Sequence, residues 1–520
     1  MKKVLYAGFV SFLSLSFILL SCTQEKKNEL QKFSELVSGL YDSTLMPFYH
    51  GVASGDPLSD GVIIWTRVTP EDSLSEITVA WQVAEDENFS KPVLTDSVTT
   101  SPSRDYTVKV DVRGLQPDRF YYYRFSALGK TSATGRTKTA PVGDRDSIRL
   151  AIVSCANWEF GYFNAYDRIA GKDVDAVLHL GDYIYEYGTG VYGNKKLDRK
   201  NLPAHEIVTL KDYRTRYSQY HLDKGLRHAR MKHPFITIWD DHEVANNTYA
   251  TGAQNHQPDK EGDFNARKQA ARQAYYEWIP IRENAKHYRA FHYGNLADVI
   301  MLDERLEGRT RQLDSISDPT FGSEEHTMLG QEQLSWFENE LRNSKSTWKV
   351  IGNQVIFSDL DQSIAFPDTP KNLDSWDGYP VEKKRIAKFI VDNRIEDLII
   401  LSGDTHGSWG FEVAVDAAKT YNKKNSQGAL AVEFGVTSIS SSNWNEYTTD
   451  DTVKTGESDL MKANPHLKYI NQRDHGYLLL TLSPNDAKAE WYYIETLATP
   501  DDREHLGKKL QVKKGKPSLQ

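Results

Sequence analysis

The spacing of apolar residues changes once along this chain, near residue 147. From Pro47 to Pro141 apolar and polar positions alternate, as in Ile77-Thr-Val79-Ala-Trp81-Gln-Val83 and Tyr106-Thr-Val108-Lys-Val110-Asp-Val112. Alternation at period two predicts strands with one buried face. Gly61 to Val68 and Phe120 to Phe125 add strands, with turn signals at the spacing of a β-sandwich. From Ser147 the pattern becomes strand, turn, helix, repeated. Strands are predicted at 148–153, 174–180, 234–239, 298–302, 348–351, 398–401 and 430–434, with a closing antiparallel pair at 476–482 and 489–494. Helices fall between, at 164–170, 265–278 and 331–343. This alternation predicts an α/β sheet covered by helices.

The organisation expected is a leader (1–22), a tether (23–45), a β-sandwich domain (46–141), an α/β domain (147–500) and a basic tail (501–520). The polar insertion from Tyr187 to about Lys232 is expected to shape a substrate mouth. The tail carries Lys508, Lys509, Lys513, Lys514 and Lys516 and is expected to be mobile or to cap the site.

Composition adds limits. A chain of 520 residues exceeds the size of one core. Net charge is −9, with 39% apolar and 26% charged residues, so no nucleic-acid-binding surface is expected. A monomer is expected. Met1-Lys2-Lys3 precedes an apolar run that ends in Leu19-Leu20-Ser21-Cys22. This order resembles a bacterial lipoprotein signal with lipid on Cys22; an uncleaved N-terminal membrane helix is the other reading. Either places the protein at the cell envelope, lipid-anchored in the first case, on the periplasmic or outer-membrane side. With Cys22 acylated, Cys155 is a lone thiol in an exported protein. It is either a buried inert thiol or a metal-bound thiolate.

Four predicted strand ends finish in ligand-type residues: Ser154-Cys155, Gly181-Asp182-x-x-Tyr185, Asp240-Asp241-His242-Glu243 and Asp404-Thr405-His406. Open α/β sheets place ligands beyond the carboxyl ends of their strands. Carboxylates, imidazoles, a thiolate and a phenolate gathered there need cations. Oxygen ligands suit calcium, magnesium or manganese, and thiolate with phenolate suits ferric iron. A mixed site with at least two ions, bridged by Asp182, is expected.

Ser154-Cys155-Ala-Asn157-Trp158, His179-Leu-Gly-Asp182-Tyr-Ile-Tyr185-Glu-Tyr-Gly188, Trp239-Asp-Asp-His-Glu-Val244 and Leu401-Ser-Gly-Asp404-Thr-His406 together resemble the blocks of the PhoD family of alkaline phosphatases, in order and spacing, over residues from about 47 to 495. Leu115-x-Pro117-x-x-x-Tyr121 is similar to the tyrosine corner of fibronectin and immunoglobulin-like domains. The resemblance implies an N-terminal fibronectin/Ig-like β-sandwich followed by a calcineurin-like metallophosphoesterase two-sheet α/β sandwich. It implies hydrolysis of phosphomonoesters through a metal-activated water, with Fe3+ and Ca2+. Cys155, Asp182, Tyr185 and one of Asp404 and His406 look like iron ligands. Asp182 would bridge to calcium, completed by Asp240 or Asp241 and the other of Asp404 and His406.

His242 is the candidate acid for the leaving alcohol or a contact to phosphate; orienting Asp240 or Asp241 is the alternative. Asn353 contacts phosphate or calcium, or shapes a turn. Arg305 holds phosphate bidentately or pairs locally with Asp303, and the local pair is the expectation. Trp158, Tyr162, Trp409 and Trp444 line the mouth or pack internally. Two other functions remain: a phosphodiesterase or phospholipase-D-like enzyme on the same site, and an inert envelope binding protein.

Overall fold

The computed structural model describes residues 36–283, 286–414 and 416–520. The leader, Cys22 and most of the predicted tether lie outside them. Among the described residues no helix is long and apolar enough to cross a membrane.

Two large sheets stack face to face. In the first, ten strands run in the order Lys516–Leu519, Glu504–Lys513, Asp486–Ile494, Gly476–Leu482, Ile148–Val153, Ala176–His179, Pro234–Thr237, Val52–Gly55, Gly61–Arg67, Thr107–Arg113. In the second, seven run in the order Arg289–Tyr293, Ala297–Met301, Trp348–Gly352, Leu398–Ser402, Ala429–Gly435, Ser408–Ala414, Leu467–Asn471. Strand alternation assigns the faces. Leu150 and Ile152 point into the core between the sheets, against Val299, Val350, Ile399 and Val432. Ala151 and Val153 point outward to Tyr166, Ile169, Tyr217 and Tyr275 on helices Asn164–Ala170, Leu210–His221 and Phe264–Trp278. On the far side, Ile300, Ile351 and Ile400 meet Leu334, Phe337, Ile386 and Ile390 of helices Gly330–Asn343 and Pro380–Asp392. The layers are helix, sheet, sheet, helix.

The strands of residues 52–113 do not form a detached body. Val52–Gly55 pairs in parallel with Pro234–Thr237, Ser54 beside Pro234 and Gly55 beside Phe235. Through that ladder three N-terminal strands continue the first large sheet. A smaller five-stranded sheet built on Ile77–Ala84 and Phe120–Ala127 closes over them around Val62, Ile64, Val79, Tyr123 and Phe125. The Tyr121 hydroxyl accepts from the Gln116 amide at 2.9 Å.

The expectation for the tail fails. Glu504–Lys513 and Lys516–Leu519 form a hairpin on the edge of the first sheet, and Leu510 and Val512 enter the intersheet core. The alternation Leu510-Gln-Val512 was masked by flanking lysines, whose place on an edge strand discourages pairing with another chain. The tail therefore does not cap the strand ends.

Candidate metal centre

Ile148–Val153, Ala176–His179 and Pro234–Thr237 are parallel and in register, Val153 beside His179 and His179 beside Thr237. Their carboxyl ends release Cys155, Asp182 and Asp240-Asp241-His242 at one edge. Leu398–Ser402 of the second sheet delivers Asp404 and His406 to the same place. The two sheets are tied there by a bridge between Ser154 and Ser438, and by Ser440 and Ser441 amides donating to the Cys155 carbonyl.

The ligand-type residues leave their strands through left-handed backbone. Cys155 (φ 59°), Asp182 (φ 54°), Asp404 (φ 61°) and His406 (φ 62°) all lie in that region. Such conformations cost about 1–3 kcal/mol for non-glycine residues and cluster at functional sites. Gly181 (φ 106°) is required by space as well: a Cβ would lie 2.3 Å from Cβ of Asp240.

Three groups of ligand atoms result, each with its atoms within 4.8 Å of one another: Cys155, Asp182 and His406; Asp182, Asp241 and His242; Asp240, Asp241 and Asp404. The Tyr185 hydroxyl joins the first group, 3.0 Å from Asp182 Oδ2 and 3.3 Å from His406 Nε2. Ser441 Oγ donates to that hydroxyl at 2.6 Å. The candidate ligands thus come together: His406 stands with Cys155, and Asp404 with both Asp240 and Asp241.

Arg305 balances part of the charge. Its Nε donates to Asp240 Oδ1, Nη1 to both oxygens of Asp374 at 3.0 and 2.9 Å, and Nη2 to Asp404 Oδ1 at 3.1 Å. The expected pair with Asp303 does not form at the guanidinium. Asp303 Oδ1 instead accepts from the Arg305 and Leu306 amides at 3.0 and 2.8 Å. Three site carboxylates outweigh one local partner. Arg305 is fully buried and engaged at all three nitrogens. Asn353 is likewise held by protein partners. It is buried, donates to the Val355 carbonyl, and accepts from Trp376 Nε1 at 3.0 Å.

The remaining charge is unmet by protein. Asp182 Oδ1, Asp240 Oδ2 and Asp241 Oδ1 are buried without a hydrogen-bond partner among the described residues. Burial pushes the Asp182 carboxyl well up, with Asp240 and Asp241 adding to it. Burial lifts Asp240 to about 8 and Asp404 to about 7, against the pull of Arg305. Asp241 is held below its ordinary value, burial notwithstanding, by His242 and Arg305. Burial, then Asp182, lifts the Cys155 thiol and the Tyr185 phenol. Burial drops His406 to about 4, leaving a neutral imidazole. Neutral donors and orphaned carboxylate oxygens fit cations.

Residues 150–491 match the family model described as PhoD-like phosphatase, and residues 38–141 match that of the PhoD-like phosphatase N-terminal domain. The chain belongs to the PhoD-like phosphatase family. Alkaline phosphatase D of Bacillus subtilis (strain 168) is 37% identical over 480 residues, covering 87% of this chain and 79% of that protein. A solved structure of PhoD, 34% identical, superposes with a TM-score of 0.82 over 91% of this chain and 92% of its own.

Two glutamates within these blocks, given no individual role by the sequence, hold this PhoD-like site together. Glu243 accepts from the amides of Asp182, Tyr183 and Asp240 at 3.1, 2.5 and 2.8 Å, fastening the second strand end to the third. Glu186 accepts from His242 Nδ1 at 2.6 Å and from the Asn246 amide at 2.7 Å. His242 is therefore oriented by Glu186 and is not itself hydrogen-bonded to Asp240 or Asp241. The available signal was an acid beside each ligand block, Asp182-x-x-x-Glu186 and His242-Glu243, with no surface role to explain it. Of the aromatic candidates, Trp158 and Trp409 are buried in the cores.

Proposed function

We propose that this chain, a phosphatase by family, is an exported, metal-dependent enzyme hydrolysing phosphomonoesters. What carries the reading is the convergence of Cys155, Asp182, Tyr185, Asp240, Asp241, Asp404 and His406 around buried carboxylate oxygens that no described residue satisfies. The name of the Bacillus relative, alkaline phosphatase D, supports the monoester assignment. Sulfur, phenol and imidazole suit ferric iron, so Cys155, Asp182, Tyr185 and His406 would hold it. Asp240, Asp241 and Asp404 offer oxygen alone and would hold calcium, with Asp182 between the two. Bound ions there supply Lewis acidity, offsetting phosphate charge and lowering the pKa of a water.

The chain's own groups supply the rest. Cys155 and Tyr185 would give up their protons to hold an ion, which would make loading more favourable as pH rises. As water adds to phosphorus and the ester P–O bond breaks, His242 gives its proton to the leaving alcohol oxygen. In the ion-free protein Asp241, Glu186 and Asp182 raise His242 well above an ordinary histidine despite burial; with ions on Asp241 and Asp182, Glu186, 2.6 Å from Nδ1, is the acid left to hold a protonated ring. The two-sheet layering supports a calcineurin-like metallophosphoesterase core over 147–500, and the Tyr121–Gln116 bond supports a fibronectin/Ig-like sandwich over 46–141. Export and a lipid on Cys22 rest on the leader sequence; a mature protein with an unmodified N-terminus beyond Cys22 would refute the anchor.

The deciding experiment measures hydrolysis of a chromogenic phosphate monoester by protein as purified, after chelation, and as Asp182→Asn. Activity is expected in the first and lost in the other two, with iron and calcium found by elemental analysis. Metal-loaded protein without hydrolysis would establish the inert binding protein instead.

A further inference from the structure

The way into the site can be read from exposure. Cys155, Asp182, Tyr185, Asp240 and Asp241 are buried, whereas Asp404 and His406 are half-buried and reach the surface. Substrate must therefore pass beside His406. Tyr192 and Tyr447 stand at that opening. The Tyr192 hydroxyl lies 3.5 Å from His406 Nδ1 and 2.8 Å from Ser442 Oγ. Ser442 Oγ lies 2.7 Å from the Tyr447 hydroxyl. The two rings are thus pinned by their polar tips to one serine. Behind them, Tyr192 packs on Phe160 (5.0 Å between centroids) and Tyr187 (5.7 Å), and Tyr187 reaches His242 at 5.4 Å.

Tyr447 is 70% exposed. An exposed aromatic held by its hydroxyl contributes little to the core, but it offers a platform with few rotatable bonds. We propose, on top of the phosphatase reading above, that Tyr447, held through Ser442 beside Tyr192, forms a stacking platform for a planar leaving group, and that the favoured substrates are nucleoside 5′-monophosphates. The phosphate is held at the metal-type residues, and the sugar spans the step from His406 outward. The base lies on the Tyr447 face. Every base has such a face, so the platform selects for a base without selecting among bases.

The test compares adenosine 5′-monophosphate with ribose 5-phosphate on the full metal-loaded protein. Both release a primary alkoxide, so the ratio of their kcat/KM values reads the base and not the chemistry. A wild-type preference for the nucleotide of about tenfold, carried in KM, is expected from one stacked base. Tyr447→Ala should bring the ratio near one, and Tyr447→Phe should keep it. Free adenosine should inhibit ribose 5-phosphate hydrolysis competitively, a measurement that stands even if the alanine variant does not fold. A wild-type ratio near one, or a preference that survives Tyr447→Ala, overturns the platform and leaves the phosphatase intact. Hydrolysis of neither ester overturns both.

Discussion

At the scale of single residues, the site is a set of acids that the protein does not neutralise by itself. Arg305 offers one positive charge to Asp240, Asp374 and Asp404, and Arg309 adds a second to Asp374. His242 pulls on Asp241 and Asp182 as well, yet Asp182 Oδ1, Asp240 Oδ2 and Asp241 Oδ1 keep no hydrogen-bond partner among the described residues. The consequence is a pH dependence of the metal-free protein. Asp240 and Asp404 titrate near 8 and 7 when folded, against an ordinary value of 3.8. A folded state that holds protons more tightly than the unfolded chain is favoured at low pH, and loses that advantage as pH rises from about 4 to about 8. The buried neutral histidines His50, His179, His221, His233, His287 and His406 act oppositely below about pH 6.5, so the carboxylate part is read against Asp240→Asn after chelation. Between pH 5.5 and pH 8 the urea midpoint of the chelated wild type is expected to fall relative to that variant's, and adding calcium and iron should flatten the difference. A wild-type midpoint that tracks the variant's across that range would contradict the assignment of these carboxylates as uncompensated.

At the scale of elements, left-handed turns and glutamate clamps convert strand ends into a site. Several strands were legible because their apolar runs are short and bounded by turn residues: Ile148–Val153, Gly476–Leu482 and helix Asn164–Ala170 have the bounds expected from sequence. Ser408–Ala414 and Leu467–Asn471 were missed: the first does alternate, with Trp409, Phe411 and Val413, but follows directly on the Asp404-Thr405-His406 turn, and both are set by pairing in the second sheet. The C-terminal hairpin was missed because charge dominated its composition. Deleting residues from Arg503 onward is expected to lower stability by about 1.5–3 kcal/mol for each of the two buried side chains, Leu510 and Val512. Denaturant unfolding of the truncated protein checks this; a truncated protein of unchanged stability would show the hairpin to be dispensable.

At the scale of the molecule, the ladder from Val52–Gly55 to Pro234–Thr237 makes the N-terminal strands part of the sheet that carries Asp182 and Asp240. Trp65 reinforces the tie, its Nε1 donating to the Glu277 carbonyl at 2.8 Å within the core that holds Trp278. Calorimetry of the intact protein should accordingly show one unfolding transition for both matched segments. Residues 147–520 expressed alone should not fold cooperatively, because they expose an unpaired strand edge beside an uncovered apolar face. Two well-separated transitions would show the segments to be independent.

The sequence alone determined the classes of element and the chemistry at four strand ends, because apolar period and residue type are local properties. Cys155, Asp182, Tyr185, Asp240, Asp241, Asp404 and His406 could all be named from where apolar runs stop. Which of them stand together was decided only by the stacked sheets. The separation of His406 from Asp404 depends on a two-residue turn in left-handed backbone, and the partners of Arg305 come from three distant segments. Proximity across the fold is set by strand register and layer packing, and no spacing along the chain encodes it.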